Sequence, residues 1–300
     1  MKMKKVFLFS IGILMAVSIF GQSIKVTPVL KKGMNKTYTN TTAITTMDQT
    51  VNIVSEQLFS ITKETPQGYE MLMESTKFSS DAKDDNLASR LLSLGMEIMK
   101  DTKVQVSLDK EGKLLDIINY EEVKTKCLAT GERMVDELLK AAPEISQVVS
   151  KEALLEQVAA SLTQENLIRS MTGNTNPLAL FGRTITNGMQ DKYNNSMVDL
   201  KRTWLVNGKK IFASAKSDMN KEELKAYVLS QVEKIAPEQA KMIKDNIDMV
   251  LNSGLIKIEV TENANYELAD DLWINSMETS IDNEMMGQKS STRTKIQLKK

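Results

Sequence analysis

KVQVSLDKEGKLLDIIN, residues Lys103 to Asn119, reads as a β-hairpin. Val104, Val106 and Leu108 alternate with Lys103, Gln105 and Ser107, which gives the first arm one apolar and one polar face. Asp109 to Gly112 supplies the turn, and Gly112 is free to take a positive φ. Leu114 to Ile118 forms the return arm, apolar on both faces apart from Asp116. An arm of that kind is expected to be covered on both sides. The expectation is therefore a sheet organised around this hairpin, with the other strand-like stretches as its neighbours and the helical ones as its cover.

Upstream, Ile24 to Leu30 is a short extended stretch ending near Pro28. Met34 to Met47 is rich in β-branched Thr and suits a half-exposed strand. Val51 to Thr62 and Tyr69 to Ser79 are two further strands around the strong turn signal Glu64-Thr65-Pro66-Gln67-Gly68, so the three make a meander. From Asp84 to Lys100 the period changes. Leu87, Leu91, Leu94 and Ile98 fall on one helical stripe, and Asp81, Asp84 and Asp85 read as acids at its N-terminus.

Downstream, Tyr120 to Ala142 is helical, with Val123, Cys127, Met134 and Leu138 on one side and Pro143 ending it. Ser150 to Thr172 is a further helical stretch with a break at Thr163, which suits an N-cap. Residues 174–195, with Pro177, Gly182, Gly188 and several Asn, read as a long mobile loop holding a brief strand at Arg183 to Thr186. Val198 to Ala215 is a second hairpin, turned at Asn207-Gly208. That turn predicts the pairs Val206–Lys209, Trp204–Ile211, Arg202–Ala213 and Leu200–Ala215. It places Val198, Leu200, Trp204, Val206, Ile211, Ala213 and Ala215 on one face. Asn220 to Glu223 resembles a capping box. Helices follow to Asn252, the second opening at Pro237. Strands follow at Leu255 to Thr261, Leu272 to Ile281 and Ser290 to Leu298. The fold class predicted is α+β: a curved, largely antiparallel sheet, open or half-barrel, of roughly eight to eleven strands with helices packed on one face.

The chain has 300 residues, 41% hydrophobic and 26% charged. It is divided here into a signal peptide, residues 1–21, and one α+β domain, residues 22–300, with helical insertions at 84–100, 120–172 and 221–252. Met1 to Lys5 is a basic n-region, Val6 to Phe20 an apolar stretch of 15 residues, and Gly21 a small residue at the cleavage point. The protein is accordingly expected to be exported, periplasmic or secreted, with no membrane span in the mature chain. Cleavage would remove three of the 39 basic residues and leave 36 against 39 acidic ones. That balance does not favour nucleic acid as a partner.

Much chemistry is excluded by residue type. There is no His in the chain, which removes Ser-His-Asp and Cys-His catalysis and most zinc sites. No Gly-rich phosphate loop or Cys cluster occurs, so neither a cofactor nor a metal is expected. Cys127 is the only cysteine and, on a helical stripe, reads as a small buried hydrophobe. The carboxylates Glu259, Glu262, Glu267, Asp270 and Asp271 could serve a glycosidase, but alternating Glu on a strand is usually a solvated face. The expectation is a protein that is not an enzyme.

Two motifs carry a resemblance. One is Leu30-Lys31-Lys32-Gly33 running to Thr37-Tyr38, and the other is the Val104 to Gly112 hairpin with its Asp109. On these the chain resembles a family of exported bacterial proteins of unknown function, some of which are similar to periplasmic lipoprotein carriers of the LolA and LolB kind. The resemblance implies an open, curved antiparallel sheet with helices in its concavity, holding acyl chains. It transfers no catalytic residue, and the chain departs from the carriers in its greater helical content.

Two functions fit these residues. One is an exported protein that binds an apolar ligand, a lipid or acyl chain, between sheet and helices. The other is a structural or protein-interaction module of the cell envelope, with an envelope protein as partner and no small-molecule ligand. For the first, the bulky-and-small pattern of the second hairpin makes Trp204, Ile211, Ala213 and Leu200 the candidate ligand-binding residues. The 19 methionines, among them Met71, Met73, Met96, Met99 and Met134, would let a pocket repack around its guest.

Overall fold

The computed structural model describes residues 22–46, 49–82, 87–147, 149–194, 198–217, 221–235, 244–249, 251, 258–285 and 288–299. The leader, Asp84, Asp85, Asn220, Pro237, Met286 and Gly287 lie outside them. Among the described residues no helix is long and apolar enough to cross a membrane.

The fold is α+β, as the alternation of strand and helix periods predicts. Strands β1 (Ser23–Lys25), β2 (Asn35–Thr46), β3 (Gln49–Thr65) and β4 (Gly68–Ser80) are followed by helix α1 (Leu87–Asp101). The opening hairpin is β5 (Val104–Asp109) and β6 (Leu114–Ile117). Helix α2 (Tyr120–Ala141), a 3-10 turn at Pro143–Gln147, α3 (Lys151–Ser161) and α4 (Gln164–Met171) come next. Then β7 (Thr184–Thr186), β8 (Gln190–Asn194), β9 (Asp199–Asn207) and β10 (Lys210–Ser217) lead into α5 (Lys221–Ile235). The chain finishes with β11 (Ile258–Leu268), β12 (Ile274–Met285) and β13 (Gln288–Leu298).

Eleven strands form one open antiparallel sheet in the order β6-β5-β4-β3-β2-β13-β12-β11-β10-β9-β8, and β1 pairs with β7 apart from it. Two meanders, β2 to β6 and β8 to β13, thus meet where β2 pairs with β13. Tyr38 on β2 is fully buried at this seam and its hydroxyl donates to the Ile274 carbonyl at 2.7 Å. Phe59 meets Tyr38 edge-on at 5.6 Å, and Trp273 is T-shaped to both Phe59 and Phe181.

One face of the sheet is covered in two ways. Towards β4, β5 and β6 the cover is α1, α2 and α4. Towards the second meander it is the turn-rich segment 174–183 together with the β1–β7 ribbon. Leu178, Ala179, Leu180 and Phe181 are all buried, so this stretch of the expected mobile loop at 174–195 is instead part of the core. Its apolar run Leu178 to Phe181, held between buried Pro177 and Gly182, outweighs the polar residues around it.

Four other expectations change. The opening hairpin lies at one edge of the sheet, not its centre. Its return arm is covered on one side: Leu114 and Ile117 are buried, while Leu115 and Ile118 are about half exposed, at 50% and 48%. A bulge between Ser107 and Leu108 breaks the alternation opposite Leu115. The β9–β10 pairing is Asn207↔Lys210, Ile211↔Val206, Ala213↔Trp204, Ala215↔Arg202 and Ser217↔Leu200. The two turn residues are therefore Gly208 and Lys209, with Gly208 at φ 58°, as a Gly-first turn requires. The slip moves each partner by two positions, and a strand repeats every two, so every residue keeps its expected face. Asp81, finally, accepts from the Asn52 backbone N–H at 2.6 Å and its amide at 2.7 Å. It ties β4 to β3 instead of capping α1.

The helix break at Thr163 is present. Its side chain accepts from the Asn166 N–H as the N-cap of α4, and Ser150 caps α3 in the same way.

Candidate functional site

Alternation on β9 and β11 aims one residue in two at the covered face. On β9 that puts Leu200, Arg202, Trp204 and Val206 inward, and on β11 Val260, Glu262, Ala264 and Tyr266. Arg202 and Glu262 are thereby carried into the core, at 5% and 4% exposure. Both are compensated. Asp191 on β8 accepts from Arg202 Nε at 2.8 Å and Nη2 at 2.6 Å, from Arg183 Nη2 at 2.8 Å and from Trp204 Nε1 at 3.1 Å. Glu262 accepts from the Tyr193 hydroxyl and the Asn174 amide, each at 2.5 Å. The Asn174 carbonyl oxygen in turn accepts from Arg202 Nη1 at 2.8 Å and from the Tyr266 hydroxyl at 3.3 Å. Arg202 also lies 4.3 Å over the rings of both Tyr193 and Trp204.

Electrostatics follow from this. Burial alone would raise the Asp191 carboxyl, but the Arg202 bonds and charge, with Trp204 and Arg183, hold it below its ordinary value. Burial, then the Glu262 charge and hydrogen bond, push the Tyr193 phenol well up, so it stays a donor. The network has its donors and acceptors matched and pins Asn174 and Arg183, at the two ends of the covering segment, onto the sheet.

Sequence reading missed Arg202, Glu262, Asp191 and Asn174, taking Glu262 for a solvated face. The available signal was parity: Arg202 shares its face with Leu200 and Trp204, and Glu262 with Val260. All four candidate ligand-binding residues, Trp204, Leu200, Ala213 and Ile211, are buried, at 0%, 0%, 2% and 2%, in contact with other protein. Trp204 stacks on Tyr266 at 6.4 Å. Ile211 borders a groove of about 590 Å³ that is also walled by Leu205, Phe212, Lys210 and Glu278.

A smaller cleft, about 270 Å³, lies between the two layers of the fold. The sheet contributes Phe59, Met73 and Val104 to it. The helices contribute Ile98 from α1, Val123 and Cys127 from α2, and Leu167 and Met171 from α4. Met73, Ile98, Cys127, Leu167 and Met171 all keep partial exposure, because the helices close incompletely over this end of the sheet. Cys127 is a free thiol whose ionisation burial pushes up. The connection between α1 and β5 adds Thr102, 8% exposed, with a buried hydroxyl that has no hydrogen-bond partner. An unpaired buried hydroxyl costs about 1–3 kcal/mol. The 590 Å³ groove is the larger, but its wall includes Lys210, Glu267 and Glu278. The cleft is the better candidate, since its wall is mostly apolar and it holds an unsatisfied polar atom. Met73 was among the methionines singled out in the sequence. Met171 was not, although it follows Leu167 at the i+4 spacing of a helix face.

No family model matches the chain, and no curated protein does. Among solved structures, one described as showing lipid–protein interactions in lipovitellin is similar at a TM-score of 0.40 and 10% identity, over 91% of this chain and 26% of that one, so the chain spans about a quarter of its length.

Proposed function

We propose that the protein binds a slender apolar ligand in the cleft between β3–β5 and helices α1, α2 and α4. The observation that carries this is the cleft itself. It is about 270 Å³, near the lower end of small-molecule sites at about 300 Å³. It is walled by methionines, aliphatic side chains and one phenyl ring that a well-packed core would have brought together. Binding rather than turnover is the activity proposed. The chain has no His, and the carboxylates Asp191 and Glu262, both engaged by hydrogen-bond partners, do not line the cleft.

Protein purified without detergent and then delipidated should bind Nile red, and native mass spectrometry before delipidation should show a heterogeneous apolar adduct. Occupancy should slow alkylation of Cys127 several-fold, because that thiol lines the cleft. Met171→Arg should abolish dye binding while leaving the circular dichroism spectrum intact. A wild-type protein that neither binds the dye nor carries an adduct, with Cys127 alkylated at one rate throughout, would leave the interaction-module reading in its place.

A further inference from the structure

Thr102 stands between the end of α1 and the start of β5 and reaches the wall of the cleft. Its oxygen is shut off from solvent and unpaired. A hydroxyl both donates and accepts, so a polar atom that reaches it from the cleft, as the side chain turns towards the guest, would complete it. The rest of the wall bears on the charge of that atom. Among the described residues, Glu74 is the only charged one lining the cleft, and Lys103 is already engaged with it at 2.9 Å. A carboxylate or phosphate would shed its water to sit beside a like charge, with no cation among the described lining residues to receive it. An ammonium would have to displace Lys103. The remaining polar lining residues, Gln57, Ser75, Ser170 and Asn176, are all uncharged.

Resting on the binding reading above, we infer that the guest is an uncharged amphiphile. It has one alkyl chain, ending in a hydroxyl, ester or amide whose polar atom hydrogen-bonds with Thr102 Oγ1. The volume argues for one chain, and the wall chemistry argues for a neutral end.

Displacement of Nile red from the delipidated protein by dodecanol, dodecanamide, dodecane and ionised dodecanoate separates the possibilities. Dodecanol and dodecanamide should displace the dye, and dodecanoate should do so about tenfold less well. Thr102→Val, which keeps the shape and removes the hydroxyl, should weaken dodecanol about five- to tenfold and leave dodecane unchanged. The same variant should raise the thermal midpoint of the empty protein, since it removes an unpaired buried oxygen. A lowered midpoint would show that the hydroxyl has a structural partner, and would overturn the inference. So would dodecanoate matching dodecanol, or a variant that treats dodecanol and dodecane alike. Those results would leave the cleft standing as a site. Displacement by none of the four, with no dye bound, would remove the cleft reading and this inference together.

Discussion

Asp191 is the carboxylate on which two guanidiniums and an indole converge. Removing it leaves Arg202, 5% exposed, charged and without its strongest partner. Asp191→Ala is therefore expected to lower the stability measured by urea unfolding by about 3 kcal/mol, the lower end for a broken buried pair, because Asp191 itself keeps some exposure. The native carboxyl ionises below its ordinary 3.8. Its contribution is thus complete above that value and is lost as pH falls through the depressed native one. Wild-type stability should drop on acidification in that window, and Asp191→Asn should show a smaller drop. An equal drop in both would place the acid sensitivity elsewhere. This site was half legible. Strand parity put Arg202 on the buried face in the sequence, but its charge left it off the apolar list. The other members of the network, Asn174, Arg183, Asp191 and Glu262, come from the covering segment, β8 and β11, and no spacing in the chain announces that they meet.

Strand ends were placed less well, β11 running to Leu268 where Thr261 was expected, but strong turns were readable to within a residue or two. Glu64 to Gly68 is an example: β3 and β4 close on Thr65↔Gly68. The same glycine shows what the sequence hid. A Cβ at Gly68 would stand 2.0 Å from the Leu108 carbonyl oxygen of β5, a backbone atom that has no rotamer to move into. Gly68→Ala should therefore destabilise by about 1–3 kcal/mol, as overpacking does, and thermal melting against wild type would measure it. A variant of wild-type stability would mean that β4 and β5 are not so closely joined. Segment 174–195 failed in the opposite direction. Its Asn, Pro and Gly signalled a loop, and the four apolar residues Leu178 to Phe181 were too short a run to outvote them by period. Only the covering role, which depends on where the sheet leaves room, makes that run decisive.

At the scale of the molecule, α+β was legible because the hydrophobic period switches cleanly between two and about 3.6. Strand order was not, since pairing between β2 and β13 joins the two ends of the described chain and leaves no local trace. The seam makes a prediction. A chain lacking residues 288–300 loses Tyr38↔Leu298 through Thr46↔Ser290 and leaves β2 and β12 as open edges. It should aggregate during size-exclusion chromatography and melt without a cooperative transition. A monomeric, cooperatively melting truncation would show that each meander stands alone. The seam also acts in time. At about 5–20 residues per second, β2 emerges from the ribosome roughly ten seconds to a minute before the strand that will flank it. For that interval the nascent chain carries an unpaired edge, and a synthesis stalled short of Gln288 leaves a fragment suited to pairing with its own copies.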